Sequence, residues 1–134
     1  MKVLLDTHIL LWALSGDVKL PVKARKIIEN PDNEIFYSII STWEVELKHL
    51  THPDRLKIDG ESLSKYCVQS GFQKVPVYEE HIFQLKNLQR SERTPQHHDP
   101  FDRILICQAM TEDLIFVTHD ARIAEYDEPY VFRV

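Results

Sequence analysis

Three glycines in 134 residues leave this chain without a phosphate-cradling glycine loop and without the flexibility of a linker-rich or disordered protein. Two cysteines, Cys67 and Cys107, stand far apart with no zinc-type spacing, which excludes a disulfide framework and a structural zinc site. Both fall in segments with helical patterning and read as buried, reduced thiols of a cytoplasmic protein. No apolar run approaches the ~20 residues of a membrane span, and the first residues carry no secretory pattern, so no membrane partner is expected. Basic residues are outnumbered by acidic ones, giving a formal charge of −5. That excludes a broad nucleic-acid-coating surface but permits a local basic groove, and it leaves carboxylates to be gathered at one cation site. The seven histidines are scattered, and no serine–histidine–acid order appears.

What is present is a steady alternation of short apolar runs with helical patterns. Residues 2–5, 34–38, 74–77, 114–118 and 130–134 read as strands, with Pro76 favouring a strand end or a sheet edge. Residues 2–5 are apolar enough to need cover on both faces. Helical patterns occupy 9–14, 21–29, 60–70 with Gly71 as a C-terminal cap, 79–88, 100–109 and 121–125. Ser41-Thr42-Trp43-Glu44 matches a capping box and opens a further helix to about Leu50. Residues 89–96, with Arg90 and Arg93, form the longest loop candidate. No repeat or linker divides the chain, so residues 1–134 are expected to be one α/β domain around a mainly parallel sheet.

The stretch from His97 to Ala109 carries the fullest helix start. Asp99 is placed to cap it, Pro100 sits where a missing N–H costs nothing, and an almost wholly apolar helix follows. His97 and His98 precede it; as neighbours they cannot readily aim both rings at one ion, which suits a loop or substrate-side role. Asp102 falls one turn inside, where the helix dipole favours a negative charge but burial makes it costly. Asp6 closes the first strand, Asp120 follows the run ending at Thr118, and Glu44 stands at the start of its helix. All four acids therefore occupy strand-to-helix junctions, which gather outside the carboxyl ends of the strands in an open parallel sheet. Asp6 and Asp120 also read as simple caps and Glu44 as a capping-box member, whereas Asp102 does not, because Asp99 already supplies the cap of its helix. Together they would repel one another, and a hard divalent cation held by oxygen ligands relieves that repulsion. Such a site activates water for attack on a phosphodiester and stabilises the charge that develops.

With those residues in place, the chain resembles the PIN-domain family and, within it, the VapC-type toxin ribonucleases. The resemblance rests on Leu4-Leu5-Asp6-Thr7-His8, Ser41-Thr42-Trp43-Glu44-Val45, His98-Asp99-Pro100-Phe101-Asp102-Arg103 and Val117-Thr118-His119-Asp120, in that order. It looks particularly like the branch with an Asp-Pro-Phe-Asp-Arg signature. The resemblance implies a three-layer α/β/α sandwich around a roughly five-stranded sheet. It also implies Mg²⁺- or Mn²⁺-dependent endoribonuclease activity with one or two ions, an RNA substrate, a homodimer and a cognate antitoxin. Asp6, Glu44, Asp102 and Asp120 correspond to the family's acids, Asp6 and Asp102 being the firmest metal ligands; Glu44 either binds a second ion or orients water. Thr7, Ser41 and Thr118 are expected to hold carboxylates or waters. Arg103 either contacts phosphate or pairs with Asp99 or another acid. Two other readings remain at this stage: an aspartate-nucleophile phosphatase, which wants an acid where His8 stands, and a non-catalytic PIN-like module that binds RNA or protein.

Overall fold

The computed structural model describes residues 1–88, 99–124, 126 and 128–134. The expected loop at 89–96, the pair His97-His98 and the end of the expected helix at Glu125 lie outside the described residues. Among those described, strands β1 (Lys2–Leu5), β2 (Glu34–Ser38), β3 (Gln73–Val75), β4 (Ile115–Thr118) and β5 (Val131–Arg133) form one sheet. Their order is β3-β2-β1-β4-β5, and every neighbouring pair is parallel.

The apolar run of β1 explains the layering. Val3 and Leu5 enter one core with Ile9, Leu10, Ala24, Leu63 and Val117, under helices α1 (Thr7–Ser15), α2 (Val22–Glu29) and α4 (Gly60–Gln69). Leu4 points the other way, into a core with Leu105, Ile106, Ala109, Phe116 and Ile123 under α6 (Pro100–Glu112) and α7 (Ala121–Ala124). A strand covered on both faces has no use for a polar alternation, which is why it reads as a continuous apolar run. Helix α3 (Ile39–Thr51) reaches both cores, through Val45 on one side and Ile40 on the other. Gly60 lets α4 close on it: a Cβ there would stand 2.9 Å from the Thr42 carbonyl oxygen.

Two expectations are corrected. Helix α3 starts at Ile39 rather than Ser41, because Ser38, the last residue of β2, already accepts the Ile40 N–H at 2.9 Å. Ser41 and Glu44 are therefore interior to the helix, and Glu44 sits in its second turn instead of at a capping box. The expected helix over 79–88 is also shorter. Helix α5 (Glu79–Phe83) gives way to a 3₁₀ turn (Gln84–Asn87). Its buried side chain is His81, bonded to the Tyr78 N–H at 3.0 Å and to Glu112 at 2.8 Å, while Ile82 is half exposed. His81 thus takes the buried place in α5, while Leu88, just past the 3₁₀ turn, packs against the core. Among the described residues, no helix is long and apolar enough to cross a membrane.

Candidate active site

Strand β1 is followed in space by β2 on one side and β4 on the other, so the chain leaves the sheet in opposite directions at the β1/β4 boundary. A crevice opens at such a switch point beyond the carboxyl ends of the strands. Asp6 stands there, immediately after β1, with only 3% of its surface exposed. Its Oδ1 accepts the Thr7 N–H at 2.7 Å, capping α1, and its Oδ2 accepts the Thr118 hydroxyl at 2.7 Å. Burial pushes its carboxyl up to about 6, although the bonds from Thr118 and Thr7 and the nearby His8 ring oppose the rise. Glu44 adds to it by repulsion.

Glu44 is also buried, at 4% exposure. Thr7 Oγ1 donates to its Oε1 at 2.8 Å, and Lys48, one turn along α3, donates to its Oε2 at 2.6 Å. The Ser41 and Thr7 hydroxyls lie 2.9 Å apart, so the interior position of Ser41 serves this network rather than the helix start. Thr7 thus joins the two acids: its backbone holds Asp6 and its side chain holds Glu44.

On the far side, Asp99 caps α6 by accepting the Phe101 and Asp102 N–H groups at 2.9 and 3.3 Å. Asp102 follows in the first turn and is buried, with its carboxyl pushed up to about 8. Burial is the largest cause, and the charges of Asp6, Asp99, Glu44 and Asp120 all add to it. Asp120 is more open. Its Oδ1 accepts the Arg122 N–H at 2.8 Å, its Oδ2 pairs with the Arg122 guanidinium at 3.3 Å, and its own N–H donates to Thr118 Oγ1 at 3.0 Å. Among the described residues, no ion pair joins Arg103 to Asp99 or to another acid.

The structure thus brings Asp6, Glu44, Asp99, Asp102 and Asp120 into one electrostatic neighbourhood. Among the described residues, no three His, Cys, Asp or Glu side chains are already arranged to grip an ion. The donor set is nonetheless of one chemical kind: carboxylate and hydroxyl oxygens, with Cys67 and Cys107 buried elsewhere and their thiols pushed up to about 12 by burial. Oxygen donors in a partly dry crevice suit a hard divalent cation, which would relieve the repulsion felt by Asp102.

Two further contributions are not among the residues singled out in the sequence. Lys48 neutralises part of Glu44, a contact the Glu–Lys spacing of four could have signalled. Gln108, fully buried on α6, accepts from Ser38 Oγ and donates to the Pro76 carbonyl at 3.2 Å. It ties the helix that carries Asp102 to the strand end that launches α3, and no local pattern announces it.

The PIN domain family model matches residues 3–129. No curated protein matches the chain in sequence. Among solved structures, the chain is similar to one in the crystal structure of VapBC2 from Rickettsia felis bound to a DNA fragment from their promoter. That match has 18% identity and a TM-score of 0.68, covering 100% of this chain and 98% of that one. It is also similar to a chain of a toxin–antitoxin complex from Klebsiella pneumoniae, with 18% identity, a TM-score of 0.62 and coverage of 97% and 95%.

Proposed function

This chain belongs to the PIN-domain family, and from that premise we propose that it is a metal-dependent endoribonuclease, the toxin of a type II toxin–antitoxin pair acting in the cytoplasm. One observation carries the proposal: Asp6 and Asp102, held by different elements at the switch point, are both buried carboxyls with raised proton affinity and mutually repelling charge. Burying such groups costs stability, and a cation explains why the cost is borne. The toxin–antitoxin complexes among the structural neighbours support the same role and an antitoxin partner.

In this reading Asp6 and Asp102 hold Mg²⁺ or Mn²⁺, with Glu44 and Asp120 completing the site for one or two ions. A cation bound there acidifies water and stabilises the charge developing on an RNA phosphodiester under attack. The chain's own work is preorganisation. Thr118 fixes the orientation of Asp6, and Thr7 and Ser41 fix that of Glu44. Lys48 limits the net charge, and Asp99 sets the helix start that presents Asp102. Arg103, on the same turn, serves a phosphate oxygen. Near neutral pH the cation-free Asp102 carboxyl retains a proton that must leave before it ligates. The exposed stripe Ile39, Trp43, Leu47 and Leu50 along α3 supports a homodimer.

The test is cleavage of RNA by purified protein with Mg²⁺ or Mn²⁺, against EDTA and against Asp6→Asn and Asp102→Asn. Cleavage is expected to require the cation and to vanish in both variants, which keep their shape. Fragments that persist through EDTA and both substitutions would overturn the assignment.

A further inference from the structure

Beside the acids lies a cavity of about 510 Å³ between α1 and the end of α3 with the turn that follows it. Its size falls within the range of about 300–1,000 Å³ typical of ligand sites. The chain as a whole is acidic, yet among the described residues no Asp or Glu lines this cavity. Its titratable lining is His8, Lys48, His52 and Arg55, over an apolar floor that includes Leu11 and Leu56. His8, His52 and Arg55 are exposed, and among the described residues Arg55 stands in no ion pair, so its charge remains available to a ligand. The cavity also includes Thr7, whose hydroxyl bonds Glu44, while Lys48 bonds the same carboxylate from the other side. It therefore adjoins the acidic crevice, sharing with it the side chains of Thr7 and Lys48 that hold Glu44.

We propose that this groove holds the single-stranded RNA segment on one side of the scissile phosphate, with His52 and Arg55 contacting its phosphates and the apolar floor receiving a ribose or base. The inference rests on the ribonuclease reading and assigns part of its substrate path. A crevice of carboxylates repels a polyanion, so the strand needs a cationic approach ending beside the acids. The groove supplies one, with no opposing carboxylate among the described residues that line it. Phosphate contacts hold and orient the strand, while an apolar surface accepts bases with little regard to sequence. Lys48 marks the inner end, where its bond to Glu44 ties the groove to the acids.

The experiment measures cleavage against RNA concentration for wild type, Arg55→Ala, His52→Ala, the double variant and Arg55→Lys, at several salt concentrations with saturating Mg²⁺. Thermal melts confirm that the variants are folded, as expected for exposed side chains. KM should rise roughly 3- to 10-fold in the double variant with little change in kcat. The log–log salt slope of RNA binding should shrink by about 0.7 for each phosphate that the variant no longer neutralises. Arg55→Lys should restore most of the affinity. Wild-type KM and salt slope in the double variant, alongside an active wild type, would overturn the groove while leaving the ribonuclease reading intact. Weakened binding to a protein partner with RNA kinetics untouched would likewise overturn it. A wild type that neither binds nor cleaves RNA would remove the ribonuclease reading first, and the groove assignment with it.

Discussion

Thr118 Oγ1 donates to Asp6 Oδ2 at 2.7 Å, joining the ends of the two neighbouring strands β4 and β1 across the switch point. The same hydroxyl accepts the Asp120 N–H, so one side chain sets the geometry of two acids 114 positions apart in the chain.

Removing that hydroxyl with the near-isosteric Thr118→Val should raise the Asp6 carboxyl further above its value of about 6, because the missing bond favours the ionised form. A hydrogen bond to a charged group contributes about 1.5–3 kcal/mol, or about one to two pH units. The acid limb of the pH–rate profile should therefore move to higher pH by about one unit. An unmoved limb would show that Asp6 ionisation does not control the rate.

Raised carboxyls also set an unusual pH dependence of stability. The folded protein holds protons on Asp6 and Asp102 more tightly than the unfolded chain does. Their contribution is thus fully favourable below about pH 4 and is lost as pH rises through about 6 and then about 8. In the absence of divalent cations, these two groups should lower the melting temperature between pH 5 and 8.5, and Asp102→Asn should flatten the fall. At pH 8 that variant should be more stable than wild type by roughly 1–3 kcal/mol, having shed a repelled charge. Saturating Mn²⁺ should stabilise wild type at pH 8 and leave Asp102→Asn nearly unchanged. Equal cation effects in both would exclude Asp102 from the cation site. Melting curves by circular dichroism across a pH series measure all of this.

Gly60 places α4 against the part of α3 that carries Glu44. A Cβ at this position meets a backbone carbonyl at 2.9 Å, which can retreat only if the helices part. Gly60→Ala should cost about 1–3 kcal/mol in urea unfolding despite the higher helix propensity of alanine. Because Glu44 shifts with α3, cleavage should weaken as well. A variant as stable and active as wild type would show that the two helices have room to adjust.

Much of this fold is legible in the residues alone. Strands appear as short apolar or β-branched runs because a doubly covered parallel sheet demands them, and Asp99-Pro100 marks a helix start by chemistry that depends on nothing distant. The start of α3 is not legible in this way, because two serines compete for the same role. Ser41, with Glu44 three residues on, is the stronger local signal, and only the path of β2 straight into the helix selects Ser38. The face of α5 is hidden for a related reason. A helical pattern over 79–88 would bury an apolar residue such as Ile82, whereas the buried residue is His81, held by Glu112 on another helix.

The sequence by itself determined the alternation of elements and the caps at Asp6 and Asp99, because each depends on neighbours within a few residues. Tertiary structure decided what the acids of the crevice experience. Thr118 reaches Asp6 from another strand, Thr7 reaches Glu44 from another element, and burial beside other carboxylates lifts Asp102 to about 8. Hydrogen bonds and Coulomb forces act over ångströms in space and are indifferent to separation along the chain. The charge balance of this crevice therefore exists only once the sheet has brought its strand ends together.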